Sequence, residues 1–279
     1  MALIPLSNDR GSNPIQFPIR EPKQNKITEW TNRWIFNPFS FISLQCMNLM
    51  IVKVIHAKHP NKISPLFSKI FINGNLFGII ATIYFRRKQL LYHGSLIFSL
   101  FKTTLYPQSQ VWWNTILEGK IILGAIPLKN KEHHDSISKK AHSILTLLED
   151  FEIYSPGWFS VPVTHHDWAA KKITQKHIIT EDFKAVPLNA IKEGVAFLRE
   201  QILQDKAVYV HCKAGRGRSA TIVVCYILKY WNEILPSDQA CSVEKAIAFV
   251  KQQRPVINLN SRQRKAIEDY YFSDVLVKE

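Results

Sequence analysis

Between Ala207 and Leu228 the chain passes from one apolar run to another through a short basic loop. Ala207-Val208-Tyr209-Val210 reads as a buried strand, and Ala220 to Leu228 reads as the body of a helix. Between them lie His211-Cys212-Lys213-Ala214-Gly215-Arg216-Gly217-Arg218, followed by Ser219. Strand, tight loop, helix is a unit of α/β sheets, and it places the helix N-terminus at the carboxyl end of the strand. Backbone N–H groups and the positive end of the helix dipole then face whatever sits in the loop. The result is an anion cradle with a thiol at its floor, and a phosphate monoester is the ligand it suits.

The residue types fit that chemistry. A helix N-terminus and neighbouring cations lower a cysteine pKa, often to between about 4 and 7. Lys213, Arg216 and Arg218 supply the cations. As a thiolate, Cys212 can attack phosphorus and form a phosphocysteine. Arg218 offers a planar fork that holds two phosphate oxygens and stabilises the transferring group, which lysine does less well. Gly215 and Gly217, with Ala214, let the loop turn its N–H groups inward. Ser219 is placed to cap the helix and to donate a hydrogen bond to the thiolate. His211 is expected to order the loop by hydrogen bonding.

These residues match the C-x5-R-[ST] signature and resemble the protein tyrosine phosphatase superfamily, in its dual-specificity type. Cys-Lys-Ala-Gly-Arg-Gly-Arg-Ser is most similar to the loop of the mitochondrial and plant phosphatidylglycerophosphate phosphatases. It is also close to that of the phosphatase-and-tensin-homologue lipid phosphatases. Trp112-Trp113 through Ile121-Ile122-Leu123-Gly124-Ala125-Ile126-Pro127-Leu128 resembles the first family's entry segment. Ile144 to Glu152 resembles its next strand and acidic turn, and Arg254-Pro255, Leu259 and Gln263 recur in its C-terminal helices. The resemblance covers roughly residues 110 to 272. It implies a phosphocysteine mechanism that needs no metal and no cofactor.

Such a reaction needs a general acid on a separate loop. Ile178-Ile179-Thr180-Glu181-Asp182-Phe183-Lys184-Ala185-Val186-Pro187 reads as a strand end followed by a loop. It resembles the family's strand-Thr-x-Asp-x-x-x-x-Pro segment, which puts Asp182 on the acid position. Adjacent Glu181 is the rival carboxylate, and Asp167 is a weaker candidate.

Periodicity and punctuation map the rest of residues 108–279, taken as the phosphatase domain. Strands are predicted near 121–126, 143–148, 174–180 and 207–211, and helices near 133–141, 188–203, 219–232, 241–252 and 261–272. Their alternation predicts a mostly parallel central sheet flanked by helices. In helix 188–203, Ile191, Val195, Phe197, Leu198 and Ile202 mark the core face. Residues 155–168 read as a loop or short helical excursion. Cys46, Cys212, Cys225 and Cys241 show neither zinc-ligand spacing nor the density of a disulfide framework. A catalytic thiolate implies a reducing compartment. His133-His134-Asp135 and His165-His166-Asp167 repeat a triplet, but adjacent histidines seldom converge on a metal.

The chain's net charge of +14 is uneven. Residues 1–107 carry thirteen Lys and Arg against three acids, and no acidic residue occurs between Glu29 and Glu118. Residues 1–30 read as a polar, proline-bearing arm that is expected to be disordered. Residues 31–107 are basic with apolar blocks at Ile35–Ile55, Ile70–Phe85 and Leu96–Phe101. They are compatible with a membrane-crossing or re-entrant segment, with helices lying on anionic lipid, or with an ordinary helical accessory domain.

The loop's extra cations, Lys213 and Arg216, favour a head group with a second phosphate nearby. A phospholipid substrate is therefore expected, with phosphoprotein hydrolysis as the alternative and a phosphate-reading module without turnover as a third reading. The expected partners are the phosphorylated substrate and an anionic membrane surface. The protein is expected to be membrane-associated, with no nucleic-acid partner.

Overall fold

A computed structural model describes residues 38–58, 65–105, 111–154, 160–235 and 241–276. Three helices come first: α1 (Pro38–Lys58), α2 (Pro65–Phe85) and α3 (Arg87–Leu105). The α/β part follows as β1 (Trp113–Leu117), β2 (Ile121–Gly124), α4 (His133–Ser138), β3 (Ser143–Thr146), α5 (Asp150–Tyr154), α6 (His165–Ala170) and β4 (Thr174–His177). It continues with α7 (Leu188–Leu203), β5 (Val208–His211), α8 (Arg218–Lys229), α9 (Trp231–Ile234), α10 (Val243–Gln253) and α11 (Ser261–Tyr270).

The strands form one sheet in the order β1-β2-β5-β3-β4. The pairs β2–β5, β5–β3 and β3–β4 are parallel, whereas β1 runs antiparallel to β2. The sheet is thus mixed, with one antiparallel edge strand that the sequence reading did not foresee. Side-chain alternation sorts two cores. Ile121, Leu123, Leu145, Val208 and Val210 face the larger one, with α7, α8, α10 and α11. Ile122, Ile144 and Tyr209 face the smaller one, against Ile137, Trp168 and Ile173. Trp112 and Trp113 pack onto these two layers.

The predicted strands end early, at Gly124, Thr146 and His177, because the chain there diverts into the loops around β5. Helix 188–203 falls on its expected bounds, with Ile191, Val195 and Leu198 buried and Phe197 and Ile202 partly buried. The predicted helix 219–232 divides. Tyr230 leaves helical geometry at φ −115° and ψ 24°, which separates α8 from the short turn of α9. Helix 261–272 stops at Tyr270 and continues as a π-type turn.

In the N-terminal region α1 and α2 pack on each other, and α3 runs back to the catalytic core. Tyr92 and Leu96 of α3 are buried in the larger core. No described helix is long and apolar enough to cross a membrane. Lys69, Asn73 and Asn75 interrupt the apolar run of α2. Large apolar side chains nonetheless stay exposed along these helices, Phe77 at 74%, Phe85 at 81% and Leu91 at 73%. The predicted arm 1–30 lies outside the described residues.

Candidate active site

β5 delivers His211 and Cys212 to the carboxyl edge of the sheet, and α8 begins six residues after Cys212, at Arg218. Every residue from Arg218 to Leu228 is buried. The apolar stripe that makes α8 a core helix therefore also fixes where its N-terminus points.

Cys212 is buried, and the Ser219 hydroxyl donates to its Sγ at 3.2 Å. The helix starts one residue before Ser219, with Gly217 at the cap position. The Ser219 hydroxyl serves the thiol, where the sequence reading also offered it a capping role. Burial pushes the Cys212 pKa up, but the Arg218 charge and the Ser219 hydrogen bonds outweigh it, and the net shift is downward. The thiolate is therefore favoured relative to a free cysteine.

His211 is buried in β5. Its Nδ1 lies 3.4 Å from the Cys212 carbonyl oxygen, and its Nε2 lies 2.9 Å from Thr146 Oγ1. Burial, the largest cause, pushes the imidazole pKa down to about 3, so the ring is neutral. A neutral ring has one donor and one acceptor. Nδ1 faces a carbonyl and donates, so Nε2 accepts from the Thr146 hydroxyl. Thr146 in turn accepts from Gln175 Nε2 at 2.7 Å. The chain of bonds from β4 through β3 orients the loop's first peptide.

The rest of the loop is held from outside. Gly215 has φ 66°, and a Cβ there would stand 2.3 Å from the Gly124 carbonyl oxygen, so only glycine fits. Arg254, buried at the end of α10, donates through Nε to the Gly215 oxygen at 2.9 Å and through a terminal nitrogen to the Ala214 oxygen at 3.3 Å. It also donates to Asn114 Oδ1 at 2.6 Å. The Asn258 N–H donates to the Arg216 oxygen at 3.0 Å, and the Ile126 N–H to the Lys213 oxygen at 3.1 Å. With its carbonyls bonded outward in this way, the loop leaves its N–H groups to the cradle.

Arg218 is almost wholly buried. It donates to both carboxylate oxygens of Glu152, at 2.6 and 3.0 Å, and to the Thr180 carbonyl at 2.9 Å. Burial alone lowers the guanidinium pKa, but Glu152, Cys212 and Asp182 together raise it. Arg218 Nε is buried with no partner in the protein. A bidentate clamp on two nitrogens therefore presents the remaining donor toward the loop.

Asp182 reaches over the same loop. Its Oδ1 lies 3.1 Å from an Arg218 terminal nitrogen, and its Oδ2 accepts from Lys213 Nζ. Phe183 holds the turn at φ 59°, and its carbonyl accepts from Asn260 Nδ2 at 3.0 Å. Glu181 points away, to Lys184 at 2.7 Å and Lys88 at 3.5 Å. Asp167 caps α6 in a capping box with Thr164 and pairs with Lys129 at 2.7 Å, away from the loop. Of the three carboxylates considered, the structure brings only Asp182 to Cys212 and Arg218.

Lys213 corrects one expectation. It does not stand ready for a second phosphate. It is bound by Asp182 and lies between the rings of Phe183, at 5.1 Å, and Tyr92, at 5.9 Å. Its charge is used to hold the acid loop. Sequence reasoning missed Glu152, Arg254 and Tyr92 as site residues. The acidic turn ending in Glu152 and the recurring Arg254-Pro255 were the signals available, whereas nothing in the sequence indicates the partners of Glu152, Arg254 and Tyr92, which lie 39 or more residues away along the chain. The repeated histidine triplets serve structure: His133 accepts from the Leu128 N–H at 3.3 Å, and His134 Nε2 lies 2.9 Å from the Asp167 oxygen.

Residues 137–272 match the model of the dual specificity phosphatase catalytic domain. The phosphatidylglycerophosphate phosphatase PTPMT1 of Arabidopsis thaliana is 30% identical over 187 residues, covering 67% of this chain and 50% of that protein. The chain thus spans about half the length of that relative. The phosphatidylglycerophosphatase and protein-tyrosine phosphatase 1 of Mus musculus is 26% identical over 184 residues, 66% of this chain and 89% of that protein. The crystal structure of PTPMT1 in complex with PI(5)P superposes with a TM-score of 0.50 at 27% identity, over 60% of this chain and 98% of that one. The strand, loop and helix that carry Cys212 and Arg218 fall within residues 137–272, so the candidate site lies inside the stretch that is similar to the dual specificity phosphatase catalytic domain.

Proposed function

We propose that the protein removes a phosphate monoester from a phospholipid head group, of the phosphatidylglycerophosphate or phosphoinositide kind, at an anionic membrane surface. The Cys212 thiolate attacks phosphorus, and the bond to the ester oxygen breaks as Asp182 gives that oxygen its proton. Arg218 holds the transferring group through Nε, and through its Asp182-facing terminal nitrogen once Asp182 turns to the ester oxygen. Asp182 then takes a proton from water as the water attacks the phosphocysteine, and phosphate leaves with Cys212 returned as thiolate.

The observation that carries the lipid reading is the double role of α3. One side buries Tyr92 and Leu96 beside the site, while Leu91, Phe98 and Phe101 stay exposed on the same helix. The apolar surface is thereby attached to the edge of the active site. The adjoining chain is strongly basic, as residues 1–107 carry thirteen cations against three acids. Exposed apolar side chains with interspersed cations suit the surface of an anionic bilayer. The relatives named for phosphatidylglycerophosphate and the solved complex with PI(5)P support the same class of substrate. We place the protein at a membrane face whose adjoining compartment is reducing.

Phosphate release by the full-length chain tests this. The panel holds vesicles of phosphatidylglycerophosphate or individual phosphoinositides, and phosphotyrosine and phosphothreonine peptides, with Cys212→Ser as control. Strong preference for one lipid is expected. Preference for peptides would overturn the lipid reading and place the enzyme among protein phosphatases.

A further inference from the structure

The helix α3 lies outside residues 137–272, the stretch matched as catalytic domain, yet it contacts both segments that govern Arg218 and Asp182. The Tyr92 hydroxyl donates to the Glu152 carbonyl oxygen at 2.7 Å in a buried setting. Its ring meets Phe151 edge-on, with centroids 5.7 Å apart. Glu152 is the carboxylate that grips Arg218 through two nitrogens. One turn earlier on α3, Lys88 Nζ reaches Glu149 at 3.1 Å and Glu181 at 3.5 Å. Glu149 begins the turn that holds Glu152, and Glu181 precedes Asp182 in the acid loop.

α5 has only five residues. A helix that short does not hold itself, because one turn fixes several dihedrals for very few hydrogen bonds. Its position therefore comes from what holds it: the core around Ile153, the Arg218 grip on Glu152, and the packing of α3. We propose that α3 is a brace of the active site, in which Tyr92 is a positioning residue for Arg218 through Glu152, and Lys88 positions the acid loop through Glu181.

The brace rests on the phosphatase reading above but goes beyond it. It makes an element outside the matched catalytic domain part of the chemical apparatus. It also links the exposed apolar helices α1 and α2 to the geometry at Cys212 by way of α3, which continues directly from α2.

The test uses the full-length chain and p-nitrophenyl phosphate, a soluble aryl ester, so that no lipid surface enters. Tyr92→Phe keeps the ring and removes only the hydroxyl. It is expected to lower kcat about tenfold, the scale of one well-placed hydrogen bond, with the melting temperature changed by no more than a few degrees. The pH midpoint of Cys212 alkylation by iodoacetamide, followed on the Cys212 peptide by mass spectrometry, is expected to rise by about 0.5, because a loosened Arg218 stabilises the thiolate less. Wild-type kcat together with a wild-type alkylation midpoint, whatever the melting temperature, would show that Tyr92 only packs and would overturn the brace.

Lys88→Met decides the question if Tyr92→Phe does not fold, since Lys88 is a surface residue. It is expected to slow an alkyl phosphate at least about threefold more than the aryl ester, because the poorer leaving group depends more on the acid. An unchanged ratio would overturn the brace on that side. Alkylation needs no turnover. A failed phosphatase reading would appear as a wild type inactive on every ester, and is therefore distinguishable from a failed brace.

Discussion

α8 and α2 are both rich in apolar residues, and the fold treats them in opposite ways. Every residue of α8 from Arg218 to Leu228 is buried, with α7, α10 and α11 packed around it. On α2, Phe77, Ile80, Ile83, Tyr84 and Phe85 face outward. Burial of one such side chain stabilises a fold by about 1.5–3 kcal/mol. In α8 that stabilisation is spent inside the chain, and it fixes the helix N-terminus that holds the phosphate loop. In α2 these side chains stay exposed and contribute much less to the fold. The contrast separates an apolar helix that the fold buries from an apolar helix that it leaves exposed, with α3 joining the two.

The comparison breaks or sharpens by substitution. Cys212→Ser has the largest expected effect: turnover falls by more than about 1,000-fold while phosphate binding remains. Residual activity above that level in a phosphate-release assay would remove Cys212 as nucleophile. Ile222→Ala in α8 is expected to cost about 2–5 kcal/mol in a denaturant titration, and Ile80→Ala in α2 within about 0.5 kcal/mol. Equal costs would mean that α2 is as much a core helix as α8.

Asp182→Asn is expected to slow the first chemical step about 100-fold and to remove the acid-dependent limb of the rate profile. Glu181→Gln, whose carboxylate points to Lys184 and Lys88, is expected to change kcat much less. The reverse result would transfer the acid role to Glu181.

The smallest effect concerns pH. Burial holds His211 down to about 3 and His133 to about 4. In the unfolded chain both take a proton near the ordinary value of about 6.5, so the folded state loses ground as pH falls below that value. Their contribution is complete above about 6.5 and is lost progressively toward 4 and below. Melting temperature is expected to drop across that window, with a shallower slope in His133→Gln. An unchanged slope would remove His133 from this account.

Much of the buried half was legible because its signals are local. The apolar runs around Cys212 and the C-x5-R-[ST] spacing all lie within 22 residues, Ala207 to Leu228. Helix 188–203 follows Pro187 and keeps one apolar face, and the structure returns it unchanged. Asp182 was found through the pattern of its own loop. What stayed hidden depends on contacts distant in sequence. Glu152 and Arg218 are 66 positions apart, and Arg254 and Asn114 are 140 apart. The antiparallel edge strand β1 was missed because Trp113-Asn114-Thr115 carries little apolar alternation. Lys213 was misread for a related reason: a lysine in a basic loop looks free until the acid loop and Tyr92 fold over it. The apolar blocks of α1 and α2 were legible as apolar, but their sequence does not say whether protein or lipid covers them.

The most direct test compares lipid hydrolysis in vesicles with hydrolysis of a soluble aryl phosphate, in the wild type and in a Phe77→Glu, Phe85→Glu double variant. Both side chains are exposed and far from the phosphate loop in sequence. If α2 meets an anionic bilayer, the variant loses about tenfold or more of its rate on vesicles and keeps its rate on the soluble ester. Equal rates for variant and wild type on both substrates would contradict the account and leave the apolar surface of the N-terminal helices without a role in catalysis at a membrane.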